Sequence, residues 1–176
     1  SIVYGDTDSV YFSAFKTLEK EIKDGLIPWT KDSVVGLYDK IADEVNGSFK
    51  SFMTKAFHTP STRGEVIAAG RELVASKGLF ITKKRYALLY YDKEGKRTDV
   101  DGKEGKMKAM GLDLKRSDTP VFVQDFLSEI LYMVLQGKDE KIVLDRISEF
   151  RAEFKSMPGW EKGSPKRANN MTKYQE

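Results

Sequence analysis

Along the chain, a spacing of apolar residues suited to strands gives way to one suited to helices, and back again. Ile2-Val3-Tyr4 and Val10-Tyr11-Phe12 are β-prone runs flanking Gly5-Asp-Thr-Asp-Ser9, which predicts a hairpin. Lys16 to Gly25 is charged, with Leu18 and Ile22 one helical turn apart, and predicts a short helix that Pro28 separates from the next. Thr30 and Asp32 are both candidate N-caps for a long helix reaching Phe57, carried by Val34, Leu37, Tyr38, Ile41, Val45, Phe49, Phe52, Met53 and Phe57. The strand period then returns in Val66–Ala69, Leu73-Val74, Leu79–Ile81 and Tyr86–Tyr91, with turns expected at Lys77-Gly78 and at Asp92–Gly95. Residues 96–106 read as an exposed loop or ragged strand, and Met107 to Leu114 as one more short strand. Thr119 is the expected cap and Pro120 the first residue of a helix ending at Gly137. A second helix is expected from Glu140 to Phe154, closed by Pro158-Gly159. The class is α+β: a sheet carrying a long helix, then a mostly helical unit from about residue 119.

Composition narrows the chemistry. The 176 residues hold no Cys and one His, so thiolate sites, a Cys nucleophile, disulfides and His-pair catalysis are all excluded. His58 follows the long helix and reads as a helix-end residue. No apolar run is long enough to span a membrane and no signal peptide is expected, which points to a cytoplasmic protein without a membrane partner. Ser1 falls straight into a strand without an initiating Met, as if the chain began inside a longer one. The net charge of +3 is unevenly spread: residues 61–120 hold 14 basic and 9 acidic side chains, against 7 and 9 in residues 1–60 and 9 of each thereafter. A basic middle third suits a polyanion partner, although charge alone favours the reading of a solvated basic loop.

Within that frame, four features could carry chemistry. Asp6 and Asp8 on the hairpin turn put two carboxylates at one edge of a sheet, where they could share hard, oxygen-seeking Mg²⁺; Asp-x-Asp also serves in ordinary turns. An EF-hand is excluded, because counting from Asp6 the fifth, sixth and twelfth positions are Val10, Tyr11 and Thr17. Lys83, Lys84, Arg85 and Tyr86 open a predicted strand, on which Lys84 and Tyr86 would share one face and Lys83 and Arg85 the other. Such a surface suits nucleic acid, or protects a strand edge. Lys115 and Arg116 lie before a capped helix start, a setting that binds phosphate or simply joins two domains. Lys166 to Tyr174 offers further polar and basic donors for a phosphate backbone.

Taken in order, these features resemble family B DNA polymerases, most closely those of T4-like bacteriophages. Tyr4-Gly-Asp-Thr-Asp-Ser9 is similar to the family's palm motif Y-x-D-T-D-S, and Lys83-Lys-Arg-Tyr86 to its K-K-R-Y motif. Gly111 through Pro120 resembles the junction into the thumb, and Ala168-Asn-Asn-x-x-Lys173-Tyr174 a phage-type thumb segment. The resemblance implies a partial palm over 1–118 and a partial thumb over 119–176. It further implies addition of dNMP to a primer 3′ end, with Asp8 a direct ligand of catalytic Mg²⁺ and Asp6 a neighbouring participant. Lys84 and Tyr86 would lie in the minor groove of the nascent duplex, with Lys83 and Arg85 beside them. Lys115, Arg116, Lys173 and Tyr174 would grip its backbone.

Three family motifs have no counterpart here: the earlier palm aspartate motif D-x-x-S-L-Y-P, the fingers motif K-x-x-x-N-S-x-Y-G and the exonuclease D-x-E. The expectation is therefore a fragment inactive alone, needing an N-terminal partner chain or segment, primer-template DNA and dNTP. Weak metal binding and self-association through the apolar hairpin are expected too. Bacterial host cytoplasm would be its compartment if it is phage-encoded. A non-catalytic duplex-binding module and a structural remnant of a polymerase remain the alternatives.

Overall fold

A computed structural model of the chain describes residues 1–163, with Lys115 known by its backbone alone. The segment expected to carry Lys173 and Tyr174 lies outside the described residues. The architecture is α+β. In order, the elements are β1 (Ile2–Asp6), β2 (Ser9–Phe12), α1 (Phe15–Lys23), α2 (Lys31–Phe57), a 3-10 turn (Ser61–Val66) and β3 (Leu73–Thr82). They continue with β4 (Arg85–Lys93), β5 (Lys96–Arg97), β6 (Lys106–Met110), a 3-10 turn (Asp113–Lys115), α3 (Val121–Gln136) and α4 (Glu140–Ser156). β1 and β2 form a two-stranded antiparallel sheet; β3, β4 and β5 follow in order in a second sheet, where β6 also pairs with β4. The described residues divide into two compact units, 1–75 with 90–105, and 76–89 with 106–163, so the β3–β4 hairpin contributes to both.

In the first unit, α2 begins where its chemistry dictates. Of the two candidate caps Thr30 is the one used: its hydroxyl accepts from the Ser33 N–H at 3.2 Å, and the Ser33 hydroxyl accepts from the Thr30 N–H at 2.9 Å. Reciprocal capping of this kind is worth about 1 kcal/mol. At the other end His58 takes a left-handed φ of 52° and closes the helix. Val34 packs with Val74 and Tyr91 in a small core, sealed by Trp29, Val35 and Tyr38. Burial there pushes the Tyr91 phenol up to about 12. Arg71 joins α2 to the sheet, its guanidinium 2.5 Å from both Asp39 and the buried Asp92. Burial works against this cation, but the hydrogen bonds and charges of Asp39 and Asp92 outweigh it and raise its pKa.

Val66–Ala69 is not the strand its composition suggests. The chain makes a 3-10 turn through Val66 and then runs extended without a strand partner. Its backbone is satisfied by a side chain instead: Asn46 of α2 accepts from the Ala69 N–H at 2.6 Å and donates to the Ala69 carbonyl at 3.0 Å. At Ala69 these take the place of the two bonds a ladder would have made.

The second unit is built on Ala87, Leu89, Leu112, Leu114 and Leu135, with Met107, Ala109, Leu127 and Leu131 packed against them. Leu127, Leu131 and Leu135 are spaced one turn apart and form the apolar stripe of α3. The Phe126 ring of α3 stacks on Phe150 of α4 at 3.7 Å.

Four local expectations are corrected in this unit. Lys77-Gly78 is no turn, because β3 runs straight through it. A Cβ on Gly78 would lie 2.8 Å from the Leu88 side chain and 3.0 Å from the Phe80 ring, so this glycine makes room rather than bending the chain. Lys77 donates to the Gln136 carbonyl at 2.9 Å, where a cation favours a helix C-terminus. The turn lies at Lys83-Lys84, with Lys84 at a φ of 62°, so neither lysine is on a strand face and the expected Lys84–Tyr86 pairing on one face fails. Thr119 does not cap α3: Pro120 occupies the cap position, and the Thr119 hydroxyl donates to the Asp113 carbonyl at 3.1 Å. The strand expected over Met107–Leu114 stops at Met110. Gly111 then turns with φ 64°, and a Cβ there would lie 2.2 Å from the Lys84 carbonyl oxygen.

Two outcomes follow from this packing. Gly111→Ala should be destabilising by about 2 kcal/mol or more in urea unfolding, since it adds a backbone clash to the left-handed penalty. Gly95→Ala, at φ 78° with open space around it, should cost only the conformational part, about 1 kcal/mol. Equal losses would contradict the close approach. The second outcome concerns Asp99, which Arg97 grips with two 2.8 Å hydrogen bonds and Lys31 with one of 2.6 Å. Arg97 first, then Lys31, holds its carboxyl well below the usual carboxylate range. A depressed folded-state pKa gives stability that is complete above the unfolded value of about 3.9 and lost as pH falls below it. Asp99→Asn should therefore lower the unfolding midpoint at about pH 7, with the gap to wild type closing as pH falls through about 4 to 2. A pH-independent gap would contradict this ion pairing.

Candidate metal and nucleic-acid sites

The β1–β2 hairpin is in register Tyr4↔Tyr11, Gly5↔Val10 and Asp6↔Ser9, which leaves Thr7-Asp8 as its two-residue turn. Thr7 takes the left-handed φ of 54° that lets so short a turn close. Asp6, the last residue of β1, is half-buried, and Asp8 is exposed on the turn. Strand alternation sets Tyr4 on the face of Asp6, and the Tyr4 hydroxyl approaches Asp6 Oδ2 at 3.5 Å, a long contact. The Thr7 hydroxyl donates to Asp6 Oδ1 at 3.1 Å, and that of Ser9 to the Asp6 carbonyl at 3.1 Å. The hairpin is anchored at its base on α2: the Ala14 N–H donates to the Tyr38 hydroxyl at 3.1 Å, and Phe12 meets the Tyr38 ring edge-on at 5.3 Å. Ile2, Val3 and Val10 stay exposed.

As a metal site this tip is partial. Its carboxylate oxygens are the hard donors Mg²⁺ requires, and Asp8 is open to solvent, so the pair fits the ion as part of a coordination shell. No group of three or more His, Asp or Glu side chains among the described residues could hold a metal on its own. Remaining ligands would have to be waters, substrate phosphates or carboxylates from elsewhere.

The second unit brings two of the sequence-predicted segments together. Because Gly111 fits against the Lys84 carbonyl, the Lys83-Lys84 turn and the Gly111–Arg116 segment are neighbours. The Arg85 Nε donates to the Gly111 carbonyl at 3.1 Å. Arg85, Gly111, Leu112, Asp113 and Arg116 line an open depression of about 470 Å³. Lys83, Lys84 and Arg85 are exposed, whereas Tyr86 is only 6% exposed and its ring stacks on Phe80 at 5.6 Å. Its ring is thus a packing surface, with little area left for a base to stack on. Lys115 belongs to the 3-10 turn that borders the depression.

Arg116 has a partner the sequence reading passed over. Its Nε and Nη2 donate to the two carboxylate oxygens of Asp118 at 2.9 and 2.8 Å. The Arg116 hydrogen bond, foremost, holds the Asp118 carboxyl below its ordinary value. Gln124 of α3 fixes the backbone here, donating to the carbonyls of Arg116 and Thr119 at 2.9 and 2.8 Å. An acid two residues after an arginine, just before a helix, is the signal that could have found this pair.

Comparison with known proteins gives the chain a family. The model of DNA polymerase family B matches residues 61–166, a stretch holding the Lys83–Tyr86 and Gly111–Asp118 segments but not the hairpin. The chain is 34% identical to a DNA-directed DNA polymerase of Escherichia phage RB69 and 29% identical to one of Enterobacteria phage T4. Those alignments cover 98% and 99% of this chain but only 19% and 20% of the relatives, so the chain spans about a fifth of their length. A DNA polymerase of Invertebrate iridescent virus 6 is 26% identical over 84% of this chain and 11% of its own length. No helix among the described residues is long and apolar enough to cross a membrane. The chain belongs to the family B DNA polymerases.

Proposed function

We propose that the chain is the partial palm (1–118) and partial thumb (119–176) of a template-directed DNA polymerase, acting on primer-template DNA and dNTP. The observation that carries the reading is the Asp6–Asp8 pair at the tip of a two-residue hairpin turn, in a chain of that family. Asp8, open to solvent, binds metal directly. Asp6, with one carboxylate oxygen held by Thr7, orients the tip and takes an outer or partial share. Mg²⁺ bound there would supply activation of the primer 3′ oxygen and stabilisation of the leaving oxygen, the two-metal chemistry for which polymerases are an established example. Exposed Lys83, Lys84 and Arg85 bind the duplex near the primer end, with Tyr86 bracing the turn they stand on. Lys115, Arg116, Lys173 and Tyr174 hold its phosphate backbone. The other palm aspartate, the fingers and the exonuclease come from polypeptide beyond these 176 residues, a reading supported by the chain's coverage of about a fifth of the phage relatives.

Primer extension tests this. Supplemented with an N-terminal polymerase segment carrying the missing motifs, the chain should extend a primer, and Asp8→Ala should lower the rate by at least about 10³-fold, the scale of losing a transition-state electrostatic partner. Asp6→Ala should cost less. Extension undiminished in Asp8→Ala would refute the assignment. If duplex binding occurs but no such segment restores extension, the non-catalytic binding module stands in its place.

A further inference from the structure

The bidentate hold of Asp118 on Arg116 has the geometry with which a guanidinium grips a phosphate: two parallel N–H···O bonds, at 2.9 and 2.8 Å, to two oxygens of one anion. Both side chains are more than half exposed, 61% and 58%, so the pair is held by its own geometry rather than by burial. Arg116 also lines the depression with Arg85, which spends one donor on the Gly111 carbonyl and makes no other side-chain hydrogen bond among the described residues. Asp113 borders the same depression, so an anion settling there meets a carboxylate as well and depends on both guanidinium groups. We propose that Asp118 is an internal competitor for a nucleic-acid phosphate: it occupies the Arg116 fork in the free chain and is displaced when a backbone phosphate settles between Arg85 and Arg116.

This rests on the reading of the chain as a duplex-binding polymerase segment, and assigns within it a residue that sets how tightly and how reversibly the backbone is held. The exchange trades one carboxylate for one phosphate at the same two donors. The net gain per contact is small, and the grip loosens readily as the duplex moves on. An exposed ion pair is worth little in water, so the latch weakens binding by a small factor and not by orders of magnitude. The Gln124 bonds to the Arg116 and Thr119 carbonyls keep the backbone on either side of Asp118 in place during the exchange, leaving the two side chains as the moving parts.

The test is a double-mutant cycle. Duplex affinity of the 176-residue chain is read by fluorescence anisotropy over a salt series, for wild type, Asp118→Asn, Arg116→Ala and the double variant. Asp118→Asn should bind about two- to fivefold tighter, with a salt slope steeper by up to about one counterion. Arg116→Ala should bind more weakly, and adding Asp118→Asn to it should give no gain. A gain of the same size in the Arg116→Ala background overturns the latch, because it would then be a plain effect of removing negative charge. Weakening by Arg116→Ala without any gain from Asp118→Asn overturns it as well, while leaving duplex binding intact. An Arg116→Ala variant that binds as wild type removes the phosphate seat. Failure of every variant, wild type included, to bind duplex at low salt removes the duplex-binding reading along with the latch. Circular dichroism melts of the exposed-site variants should match wild type, so a lost signal reads as lost binding.

Discussion

Asp92 is a carboxylate 2% exposed to solvent, and its burial is tolerable because Arg71 meets it at 2.5 Å and Gly95 donates a backbone N–H at 3.1 Å. Arg71 gives its other side to Asp39 on α2. One guanidinium thereby fixes the long helix against the β4–β5 turn. The Phe12 ring and the Ala14 amide fix the β1–β2 hairpin to Tyr38 one residue before Asp39 on that helix. The position of the acidic tip within its unit descends from this chain of contacts. Removing either member of a buried pair strands the other charge and costs about 3–5 kcal/mol, whereas replacing both by apolar residues can be neutral. The Arg71 contacts tie α2 to the sheet in one arrangement.

The second unit follows a different economy. Its core is aliphatic and aromatic, and its polar work is done at the surface, where the Lys83-Lys84 turn and the Gly111–Asp118 segment meet. What brings them together is an absent side chain: any Cβ at Gly111 would collide with the Lys84 carbonyl. Arg85 and Arg116, 31 positions apart in the sequence, thus come to line one open, charged depression. Such a surface suits the exchangeable backbone contact proposed above.

Elements governed by local rules were legible in the sequence. The hairpin within Ile2–Phe12, a cap for α2 at Thr30 or Asp32, the end of α2 near Phe57 and the end of α3 at Gly137 all answer to neighbours within a few residues, whereas the choice of Thr30 became visible only in its bonds with Ser33. Where reading failed, a distant group had changed the meaning of a residue. Gly78 carries a turn signal, but Leu88 and Phe80 need the space it leaves in a straight strand. Val66–Ala69 carries a strand signal, but Asn46 takes the backbone bonds a ladder would have made. Lys84 and Tyr86 were expected to share a face; the turn left Lys84 exposed and Tyr86 packed on Phe80. The acidic tip and the basic turn stood out by composition, whereas the Arg116–Asp118 pair did not, since a charged pair reads as ordinary solvated surface until its two-point geometry is seen.

The central claim is that the hairpin tip is a hard-metal ligand set, and its most direct test asks only where a paramagnetic divalent ion goes. Titrating Mn²⁺ at sub-stoichiometric amounts into ¹⁵N-labelled chain should broaden the amide signals of Asp6, Thr7, Asp8 and Ser9 before any others, even if binding is weak. Asp8→Asn should abolish that broadening while leaving the remaining spectrum in place. Broadening that begins elsewhere, or that survives Asp8→Asn unchanged, would contradict the account.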